Sequence, residues 1–387
     1  MSISLQPQAQ SRFLFLDGLR GIAAFTVICE HMPAELIGGM IPSRHIGMCF
    51  FFLLSGFVMS HAYGDRLANG FSPWRMTKIR LIRLYPLYLA GFLLGLTVTV
   101  LYIYKGWWQG HSATDIGLTA AFNAFMLPAP PFYDPALYPL NPPAWSLVFE
   151  VMACTVYAFA ARYLTNLRLV AIVALSFIGV VTTTFLPDRS WEWAGFWYGL
   201  YLVTYGFFGG VLLHRLYKAG KLLQLPAWLG VAVYVAAISV SDSHAYDAFG
   251  TTVLMPLMVV CFATAPISGV AARTCAMIGM LSYGIYLVHL PVWHIIELLL
   301  QKFHLEDLPN WVPVLMVAVG SALLAAFLDR FYDRPVRRWL MATLVKREPA
   351  KTPAPRKSTV ASGATAAMLD ESEVGAALAG GATVSSL

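Results

Sequence analysis

The sequence predicts an all-α integral membrane protein, about ten transmembrane helices in one bundle with both termini cytoplasmic. Three observations lead there. Of 387 residues, 58% are hydrophobic and only 12% charged, against roughly 25% charged in an ordinary soluble domain. Apolar runs of about 17 to 25 residues, the length that crosses a bilayer, recur along the chain. The basic residues gather between alternate runs, which marks membrane topology and not a nucleic-acid surface, despite a net charge of +6.

Taken in order, the spans lie at roughly 13–32, 46–62, 84–104, 143–163, 169–186, 195–213, 226–240, 250–267, 277–299 and 312–330. Residues 13–31 read FLFLDGLRGIAAFTVICEH. Asp17 and Arg20 in that run, with no small-residue cleavage site after it, predict a retained helix and not a signal peptide. Pro226, Pro256 and Pro266 fall at or inside the seventh and eighth spans and blur their ends. With the N-terminus inside, twenty-one Lys and Arg fall in inner segments and four, Arg44, Lys105, Arg189 and Lys302, in outer ones. That split sets the orientation.

Residues 1–12 read as a cytoplasmic N-terminal segment, 13–340 as the transmembrane domain and 341–387, rich in Ala, Gly, Ser and Thr, as a disordered cytoplasmic tail. The outer stretch 105–142 holds Trp107, Trp108, Tyr133, Tyr138 and a run of prolines, and is expected to fold over the outer mouth. Trp107, Trp108, Trp191 and Trp193 could stack on sugar rings or form an aromatic belt. Five cysteines without a CxxC pair read as small apolar fillers. The chain has no HExxH, no paired Cys/His spacing and no Gly-rich phosphate loop, so neither a metal site nor nucleotide hydrolysis is supported.

Ionisable groups inside spans are unfavourable there and mark function by default. Arg20 and His31 are eleven residues apart, about three helical turns and roughly 17 Å of rise, so they share a stripe with one near each membrane face. His31 could serve as a general base near neutral pH, or simply be wetted by headgroups. Glu30 follows the same helix but points about 100° away. Asp17 and Arg20, an i,i+3 pair, could neutralise each other or hold a ligand. In KIRLIRLYPLYL, Arg80 and Arg83 share a face where the third span enters the membrane. Guanidinium pairs grip phosphate bidentately, although plain positive-inside anchoring explains either one alone.

The fourth span opens with NPPAWSLVFE. Ser146 and Glu150 are i,i+4 with Trp145 at the lip, placed to orient His31, bind a hydroxyl or hold helices together. In SYGIYLVHLP, Ser282, Tyr286 and His289 form one polar stripe that must face the bundle or a cavity. His45, His61, His111, His214, His244 and His304 fall in or next to loops and carry no such argument.

DGLRGIAAFTVICEH, FFFLLSGFVM, RLIRLYPLYL, PPAWSLVFE and LSYGIYLVHLP, in that order across residues 16–291, resemble the signature segments of the acyltransferase family 3 membrane proteins. These include the O-acetyltransferases of bacterial surface polysaccharides. The resemblance implies a ten-helix bundle that takes an acyl group from cytosolic acyl-CoA to a hydroxyl, often on a sugar outside the membrane; for this chain acetyl-CoA and a glycan or glycoside acceptor are expected. By matching position, His31 corresponds to the family's essential histidine and Arg20 to its helix-one arginine. Arg80 and Arg83 correspond to its paired arginines, and Glu150 to the acidic residue of WSLxxE.

Residue reading and resemblance combine into one expectation. His31 is the base, helped by Glu30 or Glu150; Arg20, Arg80 and Arg83 hold the acyl-CoA phosphates; Trp145, Ser146, Ser282, Tyr286 and His289 surround substrate. The expected partners are acyl-CoA, the acceptor and membrane lipids, with no nucleic acid and no metal, in a bacterial inner membrane. The competing reading is a transporter whose route the same polar stripes would line; inverted repeats would favour it, and none is evident.

Overall fold

The computed structural model describes residues 13–37, 41–106, 112–132, 134–184, 190–240, 243–305 and 307–345. All lie in the first of two compact units, residues 1–346 and 347–387. The expected N-terminal segment, the tail beyond residue 345 and Trp107, Trp108 and Tyr133 fall outside the described residues.

Each expected span contains helix. In chain order the helices are α1 (Leu14–Glu30), the short α2 (Ala34–Ile37), α3 (Gly47–Ala68), α4 (Pro73–Tyr104), α5 (Ala113–Ala124), α6 (Ala144–Ala160) and α7 (Asn166–Thr183). They continue as α8 (Phe196–Lys218), α9 (Ala227–Ile238), α10 (His244–Phe249), α11 (Met255–Phe262), α12 (Gly269–Lys302), α13 (Trp311–Leu328) and α14 (Arg334–Leu344). Among the described residues no strand forms; one isolated bridge joins Ala136 to Glu192. Eight helical stretches among them are long and apolar enough to cross a membrane. The chain is therefore an all-α integral membrane protein. The first expected span, α1, has 17 residues and the seventh, α9, has 12, so neither meets that measure alone.

Local chemistry explains where the ends moved. α4 starts well before residue 84 because Ser72 caps it, its hydroxyl accepting from the Arg75 N–H at 3.4 Å while Pro73 fills the first helical position. Arg80 and Arg83 thus stand on a continuous helix. Between α10 and α11 the chain takes a wide π-type turn, Gly250–Leu254, that runs on into α11, and the Thr252 carbonyl four residues before Pro256 accepts from the Tyr205 hydroxyl. A second such turn, Asp329–Asp333, joins α13 to α14.

α3 is the central helix, with 61% of its apolar window enclosed, whereas α7 with 22% lies on the rim. It touches α8 backbone to backbone. A Cβ on Gly56 would stand 1.8 Å from the Phe207 carbonyl oxygen, and one on Gly210 2.0 Å from that of Leu53. Where water does not drive helices together, small residues that permit such approach hold them. Phe50, Leu53, Phe57 and Phe207, all fully buried, fill the space around this contact. At one end of the bundle Phe13, which immediately precedes α1, packs edge-on against Phe57, His61 and Tyr217, with ring centroids 4.9, 5.1 and 5.3 Å apart. The Asp65–Lys218 ion pair, at 2.7 Å, stands at the same end; we call it the basic end.

The described part of the stretch between α4 and α6 has local order of its own. Ser112 and Asp115 cap α5 reciprocally. Beyond it the Tyr138 hydroxyl donates to the Met126 carbonyl at 2.7 Å, and burial pushes that phenol above its ordinary range, keeping it a donor. Asn141 then donates from Nδ2 to the Leu287 carbonyl at 3.0 Å. That carbonyl has lost its helical partner, because the residue four positions on is Pro291, which has no N–H.

Candidate active site

Polar side chains of α12 meet α1 and α6 at three levels, rising from the basic end. At the lowest, Arg20 of α1 donates from Nε to Ser282 Oγ at 3.0 Å and from its other nitrogen to the Gly279 carbonyl, while pairing with Asp17 at 3.1 Å. The approach depends on Gly279, where a Cβ would meet the Asp17 carbonyl oxygen at 2.6 Å. One turn higher, Tyr286 OH lies 2.8 Å from the Pro143 carbonyl and 2.7 Å from Ser146 Oγ. Ser146 Oγ is also 3.2 Å from the Pro143 carbonyl, so the two hydroxyls share that acceptor and either can donate to the other. At the top, His289 Nε2 stands 3.3 Å from His31 Nδ1, ring centroids 4.9 Å apart. The stripe at 282, 286 and 289 faces the bundle, each member bonded to a residue far away in sequence.

Two adjoining cavities open below this top level. The one at the basic end has a volume of about 340 Å³ and is lined by Asp17, Arg20, Arg83, Asp329, Asp333 and Arg337, among others. The upper one, about 280 Å³, shares Arg20, Arg83 and Tyr283 with it and reaches to Ser146 and Tyr286. His31 and His289 line neither. The Tyr286–Ser146 pair forms the upper limit, and His289 lies about one helical turn beyond it.

The paired arginines have different surroundings. Arg80 donates to Glu150 and, at 3.1 Å, to Ser55 Oγ, while Ser55 donates to the same carboxylate at 2.5 Å. Arg83 is exposed to both cavities and makes no ion pair or hydrogen bond among the described residues. Its charged neighbours are the cations Arg80, Arg337 and Arg20 and, across the cavity, the Asp333 carboxylate that Arg337 already holds. Arg337 is itself held by Asp333 at 2.6 Å and Asp329 at 3.6 Å.

Several sequence expectations are relocated. Glu30 pairs with His45 at 2.9 Å and Glu150 with Arg80; the ring contacts of His31 are the Val27 carbonyl, 2.9 Å, and His289. Glu30 and Glu150 therefore do not hydrogen-bond the histidine they were expected to help. Trp145 is not at a lip. It is 5% exposed and packs on Phe149 and Phe52 in the core, because the backbone of α8 at Gly199 leaves room for its ring. His61 and His214 lie in the last two turns of α3 and α8, with His214 Nδ1 2.8 Å from Ser60 Oγ. Sequence reasoning passed over Ser55, Tyr283 and the Asp329, Asp333 and Arg337 group. Ser55, the one hydroxyl in FFFLLSGFVM, was the available signal. Among the described residues no group of three or more His, Cys, Asp or Glu is placed to hold a metal.

Comparison with known proteins identifies the family. The acyltransferase domain family matches residues 13–330. A Rhizobium radiobacter protein named Protein 2 in picA locus is 34% identical over 180 residues, which are 43% of this chain and 91% of that protein. No solved structure matches.

Proposed function

Since the chain belongs to the acyltransferase domain family, we propose that this membrane acyltransferase moves an acetyl group from cytosolic acetyl-CoA to a hydroxyl of a glycan or glycoside across a bacterial inner membrane. The observation that carries the reading is the alignment along α1 and α12 of the two cavities that hold Arg83 with the His31–His289 pair, which lies about one helical turn beyond the Tyr286–Ser146 contact that closes the upper cavity. Its two ends suit the two halves of the chemistry.

At the lower end Arg83, with Arg20 and Arg337 beside it, offers CoA phosphates a charge that no carboxylate in contact neutralises; guanidinium suits phosphate in charge and shape. Hydroxyls of Ser55, Ser282 and Tyr283 along the upper cavity suit the pantetheine amides. At the upper end His31 takes the proton of the acceptor hydroxyl, whose oxygen bonds to the thioester carbonyl carbon. The tetrahedral oxyanion then collapses, the C–S bond breaks, and the departing thiolate receives the proton from His31. Tyr286 and Ser146, the hydroxyls nearest that level, are the candidates to donate to the oxyanion. Glu150 holds Arg80, and Glu30 holds His45; both act as positioning groups.

The full chain in lipid nanodiscs, given labelled acetyl-CoA and a pool of methyl glycosides, tests this directly. Label should appear in glycoside, and His31→Ala should lower transfer by about 10²- to 10⁴-fold, the usual contribution of a general base, with unchanged insertion and melting. Full activity in His31→Ala would remove the histidine from the chemistry.

A further inference from the structure

We infer that His289 is the positioning residue of this site: it receives a hydrogen bond from His31 Nδ1–H and so holds the lone pair of His31 on Nε2. The inference rests on the acyl-transfer reading for its purpose, but its geometry stands independently.

The proton assignment follows from the neighbours. His289 is 1% exposed, and its Nδ1 lies 2.8 Å from the Tyr286 carbonyl and 3.2 Å from that of Ile285. Two carbonyl oxygens can only accept, so that nitrogen carries the hydrogen. In a neutral ring Nε2 is then an acceptor, and it faces His31 Nδ1 at 3.3 Å. On the other side of His31 Nδ1 stands the Val27 carbonyl at 2.9 Å. With acceptors on both sides, His31 Nδ1 must be the donor; the reverse tautomer would set its lone pair against a carbonyl oxygen.

The consequence is a two-histidine version of the nucleophile–base–orienter arrangement, with a neutral imidazole where other enzymes place a carboxylate. Val27 fixes the ring from its own helix. His289 fixes it from α12, 258 residues away. When Nε2 takes a proton, the imidazolium keeps both hydrogen bonds and gains from each, since a charged donor makes the stronger bond. A neutral orienter also avoids burying a second carboxylate in this part of the bundle.

Solid-state ¹⁵N spectra of the full chain carrying [¹⁵N]histidine, in lipid, read the arrangement without any acceptor. The His31 resonances, identified by their loss in His31→Gln, should show a proton on Nδ1 and a nitrogen–nitrogen coupling across the hydrogen bond to His289, absent in His289→Leu. Protonation of His31 on Nε2, or no coupling, overturns the proposal. In the glycoside assay His289→Leu should lower kcat by about 10- to 100-fold, as loss of a histidine's orienting partner commonly does, with the acetyl-CoA KM nearly unchanged. His289→Gln, whose amide oxygen can accept in place of Nε2, should recover most of the rate. A loss confined to KM, or Gln as damaging as Leu, overturns it as well. A wild-type chain that shows the coupling but transfers nothing would strike the acyl-transfer reading alone.

Discussion

Arg80 and Arg83 stand three residues apart on α4, yet one is consumed by the protein and the other is not. Arg80 is locked to Glu150 and Ser55, so Arg80→Ala should destabilise the chain by about 3–5 kcal/mol, the effect of leaving a buried charge unpaired. Replacing both Arg80 and Glu150 by Met should restore much of the loss. Arg83→Ala should leave melting unchanged and raise the acetyl-CoA KM by roughly 10- to 100-fold, equivalent to the loss of one charge-assisted hydrogen bond. Thermal melts and acetyl-CoA titrations separate the two; a destabilised Arg83→Ala would reverse the assignment. The sequence marked both residues equally, because the i,i+3 spacing is local while Glu150 lies 70 positions away. The same limit applies at the top of the site. The unfavourable burial of a polar group singled out His31 and His289 separately, and nothing in either segment encodes that they meet. Trp145 failed for a related reason: an aromatic at the start of a span is equally at home at an interface or in a core with a glycine opposite.

At the scale of elements, α12 was legible where periodicity speaks and silent where partners decide. Its 282, 286 and 289 stripe follows from 3.6 residues per turn. The fate of the carbonyl freed by Pro291 does not, since the donor comes from a loop before α6. Asn141→Ala should cost about 1–3 kcal/mol by orphaning the Leu287 carbonyl. Restoring the N–H in the Asn141→Ala, Pro291→Ala double variant should make the two changes less than additive, as measured in a melting-based double-mutant cycle. Equal losses in either background would mean that Asn141 does not serve that carbonyl. The turn at Gly250–Leu254 was hidden in the same way: the prolines announced a break, but a wide turn that keeps the chain coiled through Gly250–Leu254 is a packing solution, not a propensity.

Over the whole molecule, composition and apolar run length were sufficient for the class and for the order of helices, because they depend on the solvent the chain must live in. What they could not supply is which helices sit inside. α7 and α3 are similarly apolar, with mean hydropathies of 1.8 and 1.3, yet α3 is central and α7 on the rim. The glycines at 56, 206 and 210 were the available clue, since they mark where backbones can touch. The closed Tyr286–Ser146 contact, which ends the upper cavity short of His31, bears on bioenergetics. On the inner-membrane reading, the bilayer stores a proton-motive force, and a wet passage through the bundle would drain it. On the acyl-CoA reading, the two hydroxyls and the Pro143 carbonyl would close this passage to protons until a pantetheine arm parts them. Proteoliposomes with the wild-type chain should hold an imposed pH gradient, followed with an entrapped dye, as long as protein-free vesicles do. Tyr286→Ala combined with Ser146→Gly should dissipate it faster, and addition of acetyl-CoA should slow that leak by plugging the opening. On this reading, an acyltransferase working across the bilayer must also be an insulator between turnovers.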